Sequence, residues 1–369
     1  MRAKYHLENY RFSLVIFLML LSSIGILLVG SANESYQKMQ IIGVAAGFIC
    51  MVAVSLIPYN FILIFYRVLY VINLLLLILV RFWGEDSKGA TRWLKIGGFQ
   101  FQPSELCKII LILFFAQYIM EHEEDFNSPK TIIKCLIFFA IPTFLVYEQP
   151  DLSTTIIICL IFATILFVAG LSYKVIAGVL GVTIPAIGVF LWFVVNKGTS
   201  FLEKYQYNRI MAWLDPQAYL DTTFYQQNNS MIAIGSGMLT GKGLNNNVIG
   251  SVKNGNFISE PQTDFIFSIA GEELGFIGCF VMIALMAAIV ISCLLIARQA
   301  QDLAGKIICV GVGSIVAYQS FVNICVTVGL MPNTGLPLPF VSYGLSSMIS
   351  LFLGMGIVLN VGLQRRRFH

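Results

Sequence analysis

Apolar runs of roughly twenty residues, repeated along almost the whole chain, restrict this sequence more than any other feature. They lie near 12–31, 39–58, 60–80, 105–121, 131–148, 152–171, 174–195, 264–297, 306–331 and 339–362. The run from Leu106 to Met120 is short, and 264–297 is long enough to tilt or to begin outside the hydrocarbon. Composition agrees: 57% of residues are hydrophobic and 11% charged, against roughly a quarter charged in soluble domains. The expected fold is therefore an all-α polytopic membrane protein. It has about ten transmembrane helices, with a large outer loop, 196–263, between spans seven and eight. No soluble domain is appended, so residues 1–369 read as one integral membrane domain whose surroundings are lipid and not nucleic acid.

The first run follows Arg2, Lys4 and Arg11 and ends at Gly30-Ser31-Ala32-Asn33 without an A-x-A cleavage site, so it reads as an anchor. Basic residues near span ends set orientation. With the N-terminus inside, Lys130, Lys134, Lys174, Arg298, Lys306 and Arg365-Arg366-Arg367 are cytoplasmic, and the short outer turns after 148 and 331 carry no basic residue. Both termini are thus expected inside. The outer loops 81–104 and 196–263 do carry Lys and Arg. Long loops count for less in that rule, so their cations call for another explanation.

All eight cysteines fall within predicted spans and none forms a CxxC, which suits buried hydrophobes better than a disulfide framework or zinc site. The histidines, His6, His122 and His369, lie away from the outer-loop clusters, so proton chemistry falls to carboxylates.

The unusual polar residues gather on the outer face. Glu260-Pro261-Gln262-Thr263-Asp264-Phe265-Ile266-Phe267 runs directly into an apolar span that itself carries Glu272 and Glu273. Ionisable groups at such depth mark function by default. The structural alternative is that Asp264 sits in the first helical turn, where acids favour the dipole and supply capping oxygens. Five further outer segments accompany it. Gly89-Ala90-Thr91-Arg92-Trp93 leads to Phe101-Gln102-Pro103-Ser104-Glu105-Leu106-Cys107-Lys108. There Ser104 can cap a helix beginning at Glu105, and Glu105 with Lys108 forms an i, i+3 pair. Glu148-Gln149-Pro150-Asp151 makes a tight turn in which Asp151 can be an N-cap. Tyr207-Asn208-Arg209-Ile210 with Trp213-Leu214-Asp215-Pro216 reads as an interfacial helix ended by proline. Tyr225–Ser230 leads into Gly235-Ser236-Gly237 and Gly241-Lys242-Gly243. Those glycines suit either close approach of amides to an anion or a plain surface turn. Finally, Pro332, Pro337 and Pro339 exclude regular helix before Ser342-Tyr343-Gly344 and point to a re-entrant loop or cavity wall.

Taken together, in this order and with these spans between them, the segments resemble the SEDS family of bacterial cell-wall glycosyltransferases, which includes RodA, FtsW and SpoVE. The resemblance covers about residues 10–365. The family's P-E-x-x-T-D-F-I-F motif maps onto Asp264-Phe265-Ile266-Phe267, with its leading proline displaced and Gln262 in place of a frequent histidine. Further departures are Leu345 for a glycine in Ser342-Tyr343-Gly344-Leu345-Ser346-Ser347, Asn229 for a glutamine and Ser153 for a glycine. Gln149-Pro150-Asp151 and Leu336-Pro337-Leu338-Pro339 look more RodA-like than FtsW-like.

The resemblance implies polymerisation of lipid II into glycan strands at the outer face of the bacterial cytoplasmic membrane, for cell-wall elongation and shape. The donor is a polyprenyl-pyrophosphate-linked glycan and the partner a class B penicillin-binding protein. It implies Asp264 as the base, and Arg92, Gln102, Ser104, Glu105, Lys108, Asp151, Arg209, Lys242 and Ser342 as residues toward substrate. Of these, Arg92, Arg209 and Lys242 are the candidates for the leaving pyrophosphate, and Glu105 with Lys108 shapes the groove. Glu272 and Glu273 lie too deep for sugar chemistry and brace neighbouring helices. The outer segments hold few clustered carboxylates, so a divalent cation, Mg²⁺ or Mn²⁺, would borrow its ligands from the substrate phosphates. The rival readings are a lipid II flippase or transporter, and a scaffold that activates a synthase without chemistry of its own.

Overall fold

The computed structural model describes residues 10–364 apart from 88–89, 97–98, 150, 198–203, 246–250, 252–254 and 256. Arg2, Lys4, His6, Gly89, Pro150, Arg365-Arg366-Arg367 and His369 lie outside the described residues.

The apolar runs become helices. In chain order these are α1 Phe12–Ala32, α2 Glu34–Ser55, α3 Tyr59–Ile64, α4 Tyr66–Trp83, α5 Pro103–Glu121, α6 Pro129–Tyr147, α7 Leu152–Val168 and α8 Tyr173–Lys197. After the outer loop come α9 Lys204–Leu214, α10 Tyr225–Ser236, α11 Ile266–Arg298, α12 Leu303–Thr327 and α13 Leu345–Leu363. Nine of these are at least 18 residues long and apolar enough to cross a membrane, and α7 is a shorter apolar helix. This is a polytopic membrane protein. The expected run 60–80 is broken at Phe65 into α3 and α4. The last two spans are shorter than expected: α12 ends at Thr327 just before Gly329, whose φ of 79° leaves the helical region, and the prolines hold 332–344 out of helix until α13 begins at Leu345. The expected interfacial helix is α9, with Pro216 opening a 3₁₀ turn just beyond it.

Layering follows exposure. α5 is enclosed: nearly all its side chains are buried, and α12 and α13 are mostly buried beside it. A Cβ on Gly354 of α13 would touch Ile109 of α5 and Val312 of α12, and one on Gly311 of α12 would touch Ile112. The glycines thus set three helices at close approach at one depth. α8 stands apart. Val175 and Ile176 at its start pack on the core, whereas Val179, Val182, Val189 and Trp192 are exposed.

One element was not anticipated. The outer loop after α4 contains a three-stranded antiparallel sheet, β1 Glu85–Ser87, β2 Ala90–Ile96 and β3 Phe99–Phe101, with Leu94 opposite Phe101 and Lys95 opposite Gln100. β2 rests on α4 and α5, and Leu94 is buried there. Such short strands, two of three residues each, leave too few positions for an alternating pattern to declare itself.

Candidate active site

α11 is two helices in one. Gly275 has φ 66° and ψ −165°, a backbone that only glycine adopts readily. The break leaves carbonyls and amides without helical partners, and the turn after α10 supplies them. Lys242 N donates to Glu272 O at 2.9 Å and Gly243 N to Glu273 O at 3.0 Å, while Phe276 N donates to Met238 O at 2.9 Å and Ile277 N to Leu239 O at 3.1 Å. Docking this close requires glycine. A Cβ on Gly237 would strike the Gly271 carbonyl, and one on Gly241, at φ 77°, the Glu273 carbonyl. Gly235, Gly237, Gly241 and Gly243 were read as an anion cradle or surface turn. A surface turn does form at 237–240, and the cradle reading is corrected: the Lys242 and Gly243 amides are spent on the α11 break.

The same docking disposes of two acids. Lys242 Nζ pairs with Glu272 Oε1 at 2.7 Å, and the Ser31 hydroxyl of α1 donates to Glu273. Glu272 and Glu273 brace elements, as expected. Lys242 is therefore held about 9 Å along the axis from the start of α11, away from the other candidate cations.

At the mouth of α11, Asp264 precedes the N-cap, Phe265, and the cap makes no side-chain hydrogen bond. The expectation that Asp264 lies in the first helical turn as a capping acid is thereby corrected. The preceding turn closes through Thr263, whose amide and hydroxyl both donate to Glu260 O, and this holds the Asp264 carboxylate at the positive end of the helix instead of inside it. Three successive carbonyls of this turn are each held from outside it. Tyr343 N donates to Gln262 O at 2.8 Å, Ser342 Oγ to Thr263 O at 2.6 Å and Asn323 Nδ2 to Asp264 O at 2.8 Å. Ser342 Oγ also accepts from Leu338 N at 2.8 Å, and Asn323 Nδ2 also donates to Leu336 O at 2.7 Å. The proline loop is in this way strapped across the Asp264 turn. Gly335, at φ 72°, faces the acid: a Cβ placed there would lie 3.4 Å from Asp264 Oδ2 and 3.9 Å from Arg209 Nη1. Glycine lets the loop backbone approach, and a carboxylate and the guanidinium from α9 converge beside it.

A second cluster stands at the start of α7. Asp151 caps that helix through Thr154 N at 3.1 Å, as its sequence position allows. Its carboxylate also meets Arg92 Nη1 at 3.7 Å and Gln102 Nε2 at 3.3 Å, and Arg92 Nε donates to Gln149 O at 3.1 Å. Ser346 Oγ of α13 accepts from Gln102 N and donates to Gln100 O, fixing β3 to the bundle. The two clusters are joined by Ser153 Oγ, which donates to Thr334 O at 2.6 Å.

Below the second cluster, Lys108 Nζ meets Glu105 Oε1 at 2.8 Å with both side chains almost fully buried. Lys108 also borders a water-sized cavity of about 10 Å³ with Leu111, Phe115, Ile158 and Phe162. Ser104 is not a cap. α5 starts two residues earlier than expected, at Pro103, Gln102 takes the N-cap position, and Ser104 is buried with its hydroxyl unpartnered among the described residues. Asp264, Arg209 and Ser342 thus come together, as do Arg92, Gln102 and Asp151, with Glu105 and Lys108 beneath and Lys242 apart. Asn323 and Gly335 were missed. The one signal for Asn323 was a carboxamide, with Gln319 one turn before it, inside an apolar run. No group of three or more His, Cys, Asp or Glu side chains stands together among the described residues.

Fold and site define a polytopic helical membrane protein that presents a carboxylate and a guanidinium at one mouth of its bundle, under a strapped, proline-rich loop. The chain belongs to the FtsW/RodA/SpoVE family of cell cycle proteins, whose sequence profile matches residues 6–367. The peptidoglycan glycosyltransferase MrdB of Escherichia coli K12 is 36% identical over 363 residues, 98% of this chain and 95% of that protein. The probable peptidoglycan glycosyltransferase FtsW of Geobacter metallireducens is 36% identical over 289 residues, 78% of this chain and 74% of that one. Among solved structures, a chain of a peptidoglycan synthase complex, studied for its coordination of polymerization and crosslinking, superposes with a TM-score of 0.80 at 25% identity. The match covers 96% of this chain and 97% of that one. The rod shape determining protein RodA of Thermus thermophilus gives 0.71 at 24% identity, covering 97% and 98%.

Proposed function

We propose that this protein is a RodA-like peptidoglycan glycosyltransferase that polymerises lipid II into glycan strands at the outer face of the bacterial cytoplasmic membrane. It works as one membrane-embedded unit with both termini inside and a class B penicillin-binding protein as partner. Family membership over nearly the whole chain and relatives named for this activity support the reading. The observation that carries it is the convergence of Asp264 and Arg209 beside Gly335 at the mouth of α11.

The chemistry follows from that placement. The GlcNAc 4-hydroxyl of lipid II attacks C1 of the polyprenyl-pyrophosphate-linked glycan. A C1–O bond forms as the C1–O bond to phosphate breaks, with inversion at C1. Asp264 takes the hydroxyl proton as the bond forms. Negative charge grows on the departing pyrophosphate, and fixed cations stabilise it there. Arg209 stands nearest the base, and Arg92 borders the adjoining cluster. Lys242, committed to Glu272, braces the break in α11. Ser342 positions the base turn, and Gln102 and Asp151 order the neighbouring rim. Ser104, Glu105 and Lys108 shape the floor of the groove. A divalent cation accompanying the substrate would take its ligands from the pyrophosphate oxygens and would offset the charge that grows on the leaving group.

The test is polymerisation of labelled lipid II by the purified protein with its partner. Wild type should build strands, and Asp264→Asn, folded and partner-bound, should build none. Equal activity of the two would remove Asp264 as base. Transfer of lipid II across vesicles without strands would make the protein a transporter.

A further inference from the structure

We infer that Asn323 of α12 is a positioning residue for the glycosyl transfer, acting through the Asp264 backbone; this rests on Asp264 being the base. Its side chain is 1% exposed, and its Nδ2 gives one hydrogen to Asp264 O at 2.8 Å and the other to Leu336 O at 2.7 Å. One primary amide nitrogen thus clamps two backbone carbonyls that belong to chain segments some seventy residues apart. Its own Oδ1 finds no partner among the described residues. A carboxamide buried half-satisfied is a poor choice for packing alone. Its shape suits one task here: bringing two acceptors, which would otherwise repel, to the same point.

That point governs the reacting groups. Leu336 follows Gly335, where an added Cβ would lie 3.4 Å from Asp264 Oδ2 and 3.9 Å from Arg209 Nη1. Releasing the Asn323 clamp frees both walls of the gap that the carboxylate occupies, the helix-entry turn on one side and the proline loop on the other. Ser342 still holds Thr263 O, so the turn survives, but with its acid-bearing residue loose. Other side chains fail for stated reasons. A serine has one hydrogen to give, and an aspartate turns the donor into a charged acceptor facing two carbonyls.

The decisive comparison sets wild type beside Asn323→Ala, the isosteric Asn323→Asp and Asp264→Asn, each purified with its partner and assayed on labelled lipid II. Misplacing a catalytic group by about 1 Å costs on the order of 100-fold, and a loss of that size is expected in turnover for both Asn323 variants. The lipid II concentration at half-saturation should stay within about twofold, because ground-state binding is not what the clamp supplies. The thermal midpoint should fall, since two buried carbonyls lose their donor, so turnover is compared on protein that is folded and partner-bound at the assay temperature. Turnover within about threefold of wild type overturns the inference, as does a loss carried by half-saturation. Should Asn323→Ala fail to fold, Asn323→Asp decides; failure of both to fold makes Asn323 a folding residue and also overturns it. An inactive Asp264→Asn beside active Asn323 variants defeats the inference alone. An active Asp264→Asn defeats the base assignment itself.

Discussion

Lys108 and Glu105 show how one pair of residues can be costly and stable together. Both are buried inside the most enclosed helix, with Nζ and Oε1 2.8 Å apart. Two charges taken out of water gain little net stability as a pair, yet stranding one costs about 3–5 kcal/mol. Lys108→Met should lower stability by about 3 kcal/mol, and the double variant Glu105→Gln, Lys108→Met should recover most of that loss. Thermal unfolding in detergent checks this, and independent, additive effects would dissolve the pair as a unit. The pair was legible in the sequence because its partners are helix neighbours at i, i+3. Asp264 was legible for a similar reason, as a polar residue that abuts an apolar run. Asn323 and Gly335 were not, since their meaning lies in where they stand against Asp264, which is 59 positions from Asn323 and farther still from Gly335. Ser104 was misread because a serine before an acid carries the signature of a cap, while the proline ahead of it already opened the helix.

At the scale of elements, length and hydropathy disclosed the helices, and nothing local disclosed where α11 breaks. Glycine is frequent within membrane helices, so Gly275 is silent until the α10 turn is seen against it. The break gives a contrast to measure. Gly275→Ala and Gly241→Ala force a side chain into backbone at positive φ and should each cost at least about 2 kcal/mol. Gly235→Ala, with nothing within 4 Å of the new methyl, should be neutral or slightly favourable as a helix substitution. Equal midpoints for all three would mean that the turn does not dock there.

For the whole molecule, the distribution of basic residues predicts the sidedness. Glu124 and Asp221 are both exposed, on opposite faces by that reading. Glu124→Cys should resist a membrane-impermeant maleimide in intact cells, and Asp221→Cys should react. The reverse pattern would invert the protein in the membrane.

The position of the break in α11 reaches beyond stability. From Phe276 to Arg298 the helix spans about 34 Å, a little more than a hydrocarbon core, and its exposed residues Phe276, Ile277 and Phe280 begin just past Gly275. Biological bilayers differ in thickness by several ångströms, and a helix answers such a mismatch by tilting. Here the tilting portion ends at a joint; Ile266–Leu274 above it is fastened to the α10 turn and to α1 through Ser31, and the Gln262–Thr263 turn that leads into it is fastened to the proline loop. The height of the carboxylate is therefore registered to the protein and not to the lipid. A cell that remodels its acyl chains with temperature or growth phase would leave the distance between this chemistry and the wall it builds unchanged.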